Sequence, residues 1–440
     1  MQAMPLPAWR TGRIGGDVCA LAAKAVLRPM QMLMAAPAQL FLVALTAMLL
    51  RHPDVTFYAI DRVAFGLLVV GVAGRTVVLH KRLIVRERIT WPMLGLTALA
   101  LASVIGQPFD QETWSLLASK ILVPFALFHL AQLVFAEERQ FRQFEIFALV
   151  VLAYLSFTAL AFLAGARWLI FPQFILDESL GFHANRARGP LLQAVANGVS
   201  LNVLGLLALH AYRRGTARGI KTVVLLASVP IAILATMTRG VWLSFAGTVV
   251  VLIFLSKDRA LRRACTALVV VAGIGLAVVL SSRDMREAMG DRLAERGPLE
   301  FRGAVYAGGW QMFLERPLLG WGFHQMPDEL PHFVSGYQNK VLYPHNTYLE
   351  LLVEHGVVGF ALYLWLMWEL WQLRRGAIPK SEENGFLDQQ FHHLWPIVLC
   401  VYWFNAAAVV MSYQFVNGLV FTIAGMLAAQ RRRAEVPTSC

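Results

Sequence analysis

Apolar runs closed by short basic clusters recur along most of the chain, at 37–50, 55–79, 91–106, 112–135, 141–165, 190–212, 220–238, 240–256, 263–281, 346–371, 393–411 and 413–430. Roughly 20 apolar residues in a helix cross a bilayer, so the pattern predicts an all-α polytopic membrane protein with about 12 transmembrane helices. Basic clusters at 75–88, 139–142, 213–221, 257–263, 374–380 and 431–433 fall at alternate turns. By the positive-inside rule these turns and both termini are cytoplasmic. Arg10, Arg13, Lys24 and Arg28 precede the first span, but Asp17 and the short apolar stretch around Val18 argue for an uncleaved first helix over a cleaved signal peptide.

One long segment breaks the pattern, dividing the chain into helices 1–9 over 1–281, an outer loop over 282–345, and helices 10–12 with a cytoplasmic tail over 346–440. The loop is charged and amphipathic at 283–296. Over 302–315, Tyr306, Trp310 and Phe313 recur at helical spacing, which predicts short helices on the membrane with Trp310 and Phe313 as interfacial anchors. A turn, Pro317-Leu318-Leu319-Gly320-Trp321-Gly322-Phe323, follows.

Composition agrees with this class: 58% of residues are hydrophobic, 15% are charged, and the mean hydropathy is +0.57. The net charge of +12 lies mostly in short loops beside apolar helices, so topology explains it and nucleic-acid binding is not expected. Cys19, Cys265, Cys400 and Cys440 have no disulfide or zinc spacing. The chain has no internal repeat, which weighs against an inverted-repeat transporter.

The chemistry centres on His345-Asn346-Thr347-Tyr348-Leu349, where the outer loop meets the tenth span. Pro344 keeps His345 out of helical dihedrals, Asn346 can cap the helix, and the positive helix end disfavours an imidazolium. A neutral His able to accept a proton fits there; the alternative is a capping or headgroup-level His.

Arg239, in Thr238-Arg239-Gly240-Val241-Trp242, stands between two apolar runs on the outer side. Intramembrane arginines are costly, so it needs a partner. Asp54, Asp61, Asp177, Glu178, Glu350 and Glu354 are the nearest carboxylates in the pattern. A structural pair such as Arg239 with Glu350 is one reading. In the other, Arg239 joins Arg186 and Arg188, in His183-Ala184-Asn185-Arg186-Ala187-Arg188-Gly189-Pro190, and Arg302 in the loop, to hold a lipid-anchored diphosphate. Guanidinium groups bind phosphate oxygens through two donors at once. His183, His324 and His332 are further candidates to line such a cavity.

The Thr238–Trp242 stretch, Arg302 followed by Trp310 and the 317–323 turn, and His345–Leu349 with Gly356 and Gly359 together resemble the O-antigen ligase and polymerase superfamily, over about 180–371. The resemblance implies a C-type glycosyltransferase fold acting on a polyprenyl diphosphate-linked glycan. It implies a catalytic role for His345 and substrate-binding roles for Arg239 and Arg302. Arg188 is a positional match.

The implied reaction is ligation of O-antigen from undecaprenyl diphosphate to lipid A–core oligosaccharide at the periplasmic face of a bacterial inner membrane, by a single inverting displacement. No Asp-x-Asp pair lies on the outer side, so no divalent metal or other cofactor is expected, with Asp54 and Asp61 the remaining carboxylates to consider. An O-antigen polymerase or a protein O-oligosaccharyltransferase shares the motif. A transporter of lipid-linked glycans would use the arginines without needing His345.

Overall fold

The computed structural model describes residues 31, 33–52, 60–79, 87–181, 183–255, 259–281, 297–334, 342–379 and 382–435. The short apolar stretch around Val18, the 283–296 stretch and Asp54 lie outside the described residues. The described residues are helical throughout their regular structure: α1 Pro37–Leu49, α2 Ile60–Val78, α3 Thr90–Ile105, α4 Gln111–Val134, α5 Glu138–Leu163, α6 Ala194–Arg214, α7 Ile220–Ala235, α8 Arg239–Leu255, α9 Arg259–Ser281, α10 Gly297–Glu315, α11 Met326–Phe333, α12 Thr347–Gln372, α13 Gln389–Ala406 and α14 Gln414–Glu435.

A helix occupies each of the expected spans. Four of them, α4, α5, α6 and α12 with its 3-10 extension to Arg375, are long and apolar enough to cross a membrane. Helices α1, α3, α7 and α8 are apolar but shorter. Helix α7 stops at Ala235 and α8 starts at Arg239, so the chain turns within four residues. The turn shortens both helices and sets Arg239 at a helix N-terminus.

Helix α14 is the central post. Its side chains from Phe415 to Gln430 are all buried, and it packs along the second half of α4. That approach is close: a Cβ at Gly425 would fall 2.2 Å from the Phe128 carbonyl oxygen, so only glycine fits. Helices α5, α6 and α7 pack together on one flank, α13 joins α6 to α8, and α3 lies against α12.

Helix α10 forms where Tyr306, Trp310 and Phe313 predict it, and it packs on α12. Trp310 is exposed while Phe313 is buried in a small core with Val305, Met326 and Leu349. Phe313 is thus a packing residue, whereas Trp310 keeps an outward face.

Helix α12 is broken at Gly356, whose φ of 60° and ψ of −163° are open to glycine alone. The 317–323 turn fills the break. The backbone N–H groups of Trp321 and Gly322 donate to the carbonyls of Val353 and Glu354, both at 2.9 Å. In return, the N–H groups of Val357 and Val358 donate to Pro317 and Leu318, at 2.8 and 3.3 Å. Four groups freed by the break are thereby satisfied inside an apolar region, as burial demands. Trp321 locks the same turn: its indole N–H donates to the Met312 carbonyl at 2.8 Å and Arg316 stacks on its ring at 4.0 Å.

Candidate active site

His345 stands immediately before α12. Asn346 caps that helix, its side chain accepting from the N–H groups of Tyr348 and Leu349 at 3.0 and 3.2 Å, as the sequence predicts. Thr347 then pins the first turn to the 407–411 segment between α13 and α14. Its hydroxyl donates to the Val409 carbonyl at 2.9 Å and accepts from the Met411 N–H at 3.0 Å. Tyr348 adds a hydroxyl bond to the Trp403 carbonyl at 2.8 Å.

The first turn of α8, which begins at Arg239, approaches the same segment. A Cβ at Gly240 would lie 3.7 Å from Ala408 and 3.8 Å from Asn405, so the first turn of α8 abuts the end of α13. Asn405, fully buried, donates to Ser244 of α8 at 3.0 Å. The segment carrying Arg186 is tied beside them, because the Ala187 N–H donates to the Ala235 carbonyl at 3.1 Å, four residues before Arg239.

The electrostatics draw these parts together. His345 has its pKa lowered, first by burial, then by the field of Arg302 and by His183. His183 is likewise lowered, by burial, then Arg186, then Arg302. The sequence attributes a neutral His345 to the helix end; burial and Arg302 give the same sign for a different reason. Arg302 and Arg239 are exposed and Arg186 is half-buried. Guanidinium groups and two neutral imidazoles at one end of the bundle form a site suited to anions.

Backbone strain falls in the same loops. His183, Met237 and His345 have φ of 56°, 47° and 47°, in the left-handed region that non-glycine residues seldom adopt. Such conformations cost about 1–3 kcal/mol each and cluster at functional sites.

Arg188 is differently placed. It is 1% exposed and its guanidinium donates to the carbonyls of Ile175, at 2.9 Å, Leu180 and Asp177. Those bonds brace the 175–180 loop and occupy each of its three nitrogens, which is at odds with the direct diphosphate contact expected of it. The sequence offers no sign of this, since Arg186 and Arg188 look equivalent in the motif.

The Arg239–Glu350 pair considered from the sequence is replaced by another. Glu350 accepts from Lys120 Nζ at 2.7 Å, with Glu350 buried and Lys120 mostly so. Lys120 lies in a π-helical turn of α4, Ala118–Leu122, a distortion found often at functional positions. One turn beyond Glu350, Glu354 accepts from the backbone N–H of His324 at 2.9 Å. Lys120 also faces the ring of Phe323 at 5.3 Å. Sequence reasoning passed over Lys120; the signal was a lone ammonium inside the 112–135 apolar run, where a charge needs a partner.

Fold and site thus define a helical membrane protein with a cationic, histidine-bearing site at one end of its bundle. Residues 222–364, about a third of the chain, match the family described as O-Antigen ligase, which bears out the resemblance to the O-antigen ligase superfamily. Ligases and polymerases of this glycosyltransferase-like superfamily use lipid-linked polysaccharide. The match includes Arg239, Arg302, His345 and the broken helix at Gly356, while Lys120, Arg186 and Arg188 lie outside it. No curated protein matches the chain.

Proposed function

We propose that the protein is an O-antigen ligase that transfers a glycan from undecaprenyl diphosphate to lipid A–core oligosaccharide at the periplasmic face of the inner membrane. The observation that carries the reading is His345 itself, held in a left-handed conformation just before α12 with its pKa lowered by burial and then by the nearby Arg302. An acceptor hydroxyl oxygen attacks the anomeric carbon while the bond from that carbon to the diphosphate oxygen breaks. His345 takes the hydroxyl proton, and the bonding electron pair leaves with undecaprenyl diphosphate. A single displacement of this kind inverts the anomeric configuration.

Arg186, Arg239 and Arg302 are proposed to hold the diphosphate. Their contribution grows as negative charge builds on the leaving group, which is how fixed cations accelerate a reaction. Arg188 acts one step back, by shaping the loop that carries Arg186. The reading is metal-independent: the arginines supply the charge that a divalent ion would otherwise bring.

The test is incubation of the purified protein with undecaprenyl diphosphate-linked glycan and lipid A–core. Glycan on lipid A–core supports the ligase. Donor converted into longer lipid-linked chains makes the protein a polymerase, and donor left untouched favours a lipid-linked glycan transporter.

A further inference from the structure

A cavity of about 630 Å³ lies between α6, α7, α8 and α9, at the end of the bundle away from His345. Its position follows from the chain. The lining residues run from Asn202 to Arg213 on α6, Val223 to Pro230 on α7, Phe245 to Leu252 on α8 and Ala260 to Leu268 on α9. Helix α6 begins beside the Arg186 loop, and α8 begins at Arg239, so these stretches are the far halves of their helices.

The volume is that of a ligand site, typically about 300–1,000 Å³. Small side chains make the room, among them Gly205, Ala227, Ala264 and Ala267, and the last three are exposed, so the cavity opens sideways. Helix α9 packs on α8, and the cavity separates it from α6 and α7. The few polar lining groups are sorted by depth. Asn202 and Thr248 are buried at the inner end and bond to each other at 3.3 Å, leaving an apolar wall.

Arg213 lies at the mouth, half-buried, and Lys221, Arg259, Arg262 and Arg263 stand exposed at the same helix ends. The carboxylates nearby are already engaged: Glu138 and Glu145 accept from Arg214 at 2.6 and 3.3 Å. An apolar slot open to the bilayer with a cationic rim is complementary to a single long chain ending in a negative head.

We propose that this cavity holds an acyl chain of an anionic glycerophospholipid from the leaflet opposite His345, with the lipid phosphate on Arg213. The chain wedges α9 against α6 and α7, replacing helix contacts that side chains do not make there. The site is independent of the transfer reaction and of the diphosphate site at the other end.

The experiment is native mass spectrometry of the delipidated full-length protein titrated with phosphatidylglycerol and, separately, phosphatidylcholine. The wild type is expected to bind one phosphatidylglycerol with about fivefold preference, as one basic residue contributes about 1 kcal/mol near a membrane surface. Arg213→Gln should bind both lipids about equally. Ala264→Phe, which fills the slot from a lipid-facing position, should lose both. Maleimide labelling of Cys265, which lines the cavity, gives a reading that needs no variant: phosphatidylglycerol should slow it in the wild type. Equal binding of the two lipids by the wild type, a preference that survives Arg213→Gln, or labelling of Cys265 unaffected by phosphatidylglycerol would overturn the proposal.

Discussion

Lys120 Nζ lies 2.7 Å from Glu350 Oε1, joining the π-turn of α4 to the first turn of the helix that begins just after His345. The two residues are 230 apart in sequence, and their pairing ties α12 to α4. Breaking one side of a buried pair strands the other charge at about 3–5 kcal/mol, whereas replacing both with apolar groups is often near neutral. Lys120→Met should therefore lower the apparent Tm strongly in detergent, and Lys120→Met with Glu350→Met should recover most of the loss. A double variant no more stable than the single would show that the pair is not the source of the effect.

Arg188 offers a second contrast. Hydrogen bonds to a charged group contribute about 1.5–3 kcal/mol each, and this guanidinium makes three to carbonyls of one loop. Arg188→Lys should not rescue, because one ammonium cannot reproduce the planar fork. Hydrogen exchange of 175–181 should accelerate in Arg188→Lys and Arg188→Met, while Arg302→Met leaves that loop protected.

The pH profile follows from His345. Its pKa is lowered from the usual 6.5, so the neutral form that accepts a proton prevails at neutral pH and the acidic limb of kcat falls below 6.5. Arg302→Gln removes a cation that disfavours the imidazolium, so the limb should move to higher pH, with kcat reduced because the diphosphate loses a ligand. Stability shares the sign: an unfolded chain takes up this proton near 6.5 while the folded one resists, so stability declines as pH drops below 6.5. A limb that stays in place in Arg302→Gln would separate the two residues.

Gly356 should tolerate nothing larger. A Cβ there would sit 2.3 Å from the Leu318 carbonyl oxygen at a φ of 60°. Gly356→Ala is expected to undock the 317–323 turn and reduce accumulation of folded protein in membranes, read by fluorescence-detected size exclusion.

Much of this was legible before any coordinates. The helices follow from apolar runs and the Asn346 cap from its place after Pro344-His345, while the proposed anion-binding end rests on arginines on the side where the positive-inside rule does not put them. These are local signals, carried within a turn or two of helix. What was not legible depends on chain-distant partners. Nothing near Lys120 announces Glu350, and nothing in the 183–190 motif says that Arg188 turns inward while Arg186, two residues earlier, stays half-exposed. The helix break at Gly356 is intermediate: the glycine is visible, but the 317–323 turn that fills the gap is found only by packing.

The central claim is that the His345 imidazole performs the proton transfer, and the most direct test compares wild type with His345→Asn. Asparagine tolerates the left-handed φ of 47° better than alanine does, so the variant removes the ring with little change to the backbone. Transfer of labelled glycan to lipid A–core would be followed with EDTA present, alongside donor binding. The account predicts product from the wild type despite EDTA, and from His345→Asn a loss of about 10²–10⁴-fold in rate with donor binding retained. Transfer by His345→Asn at the wild-type rate would contradict it.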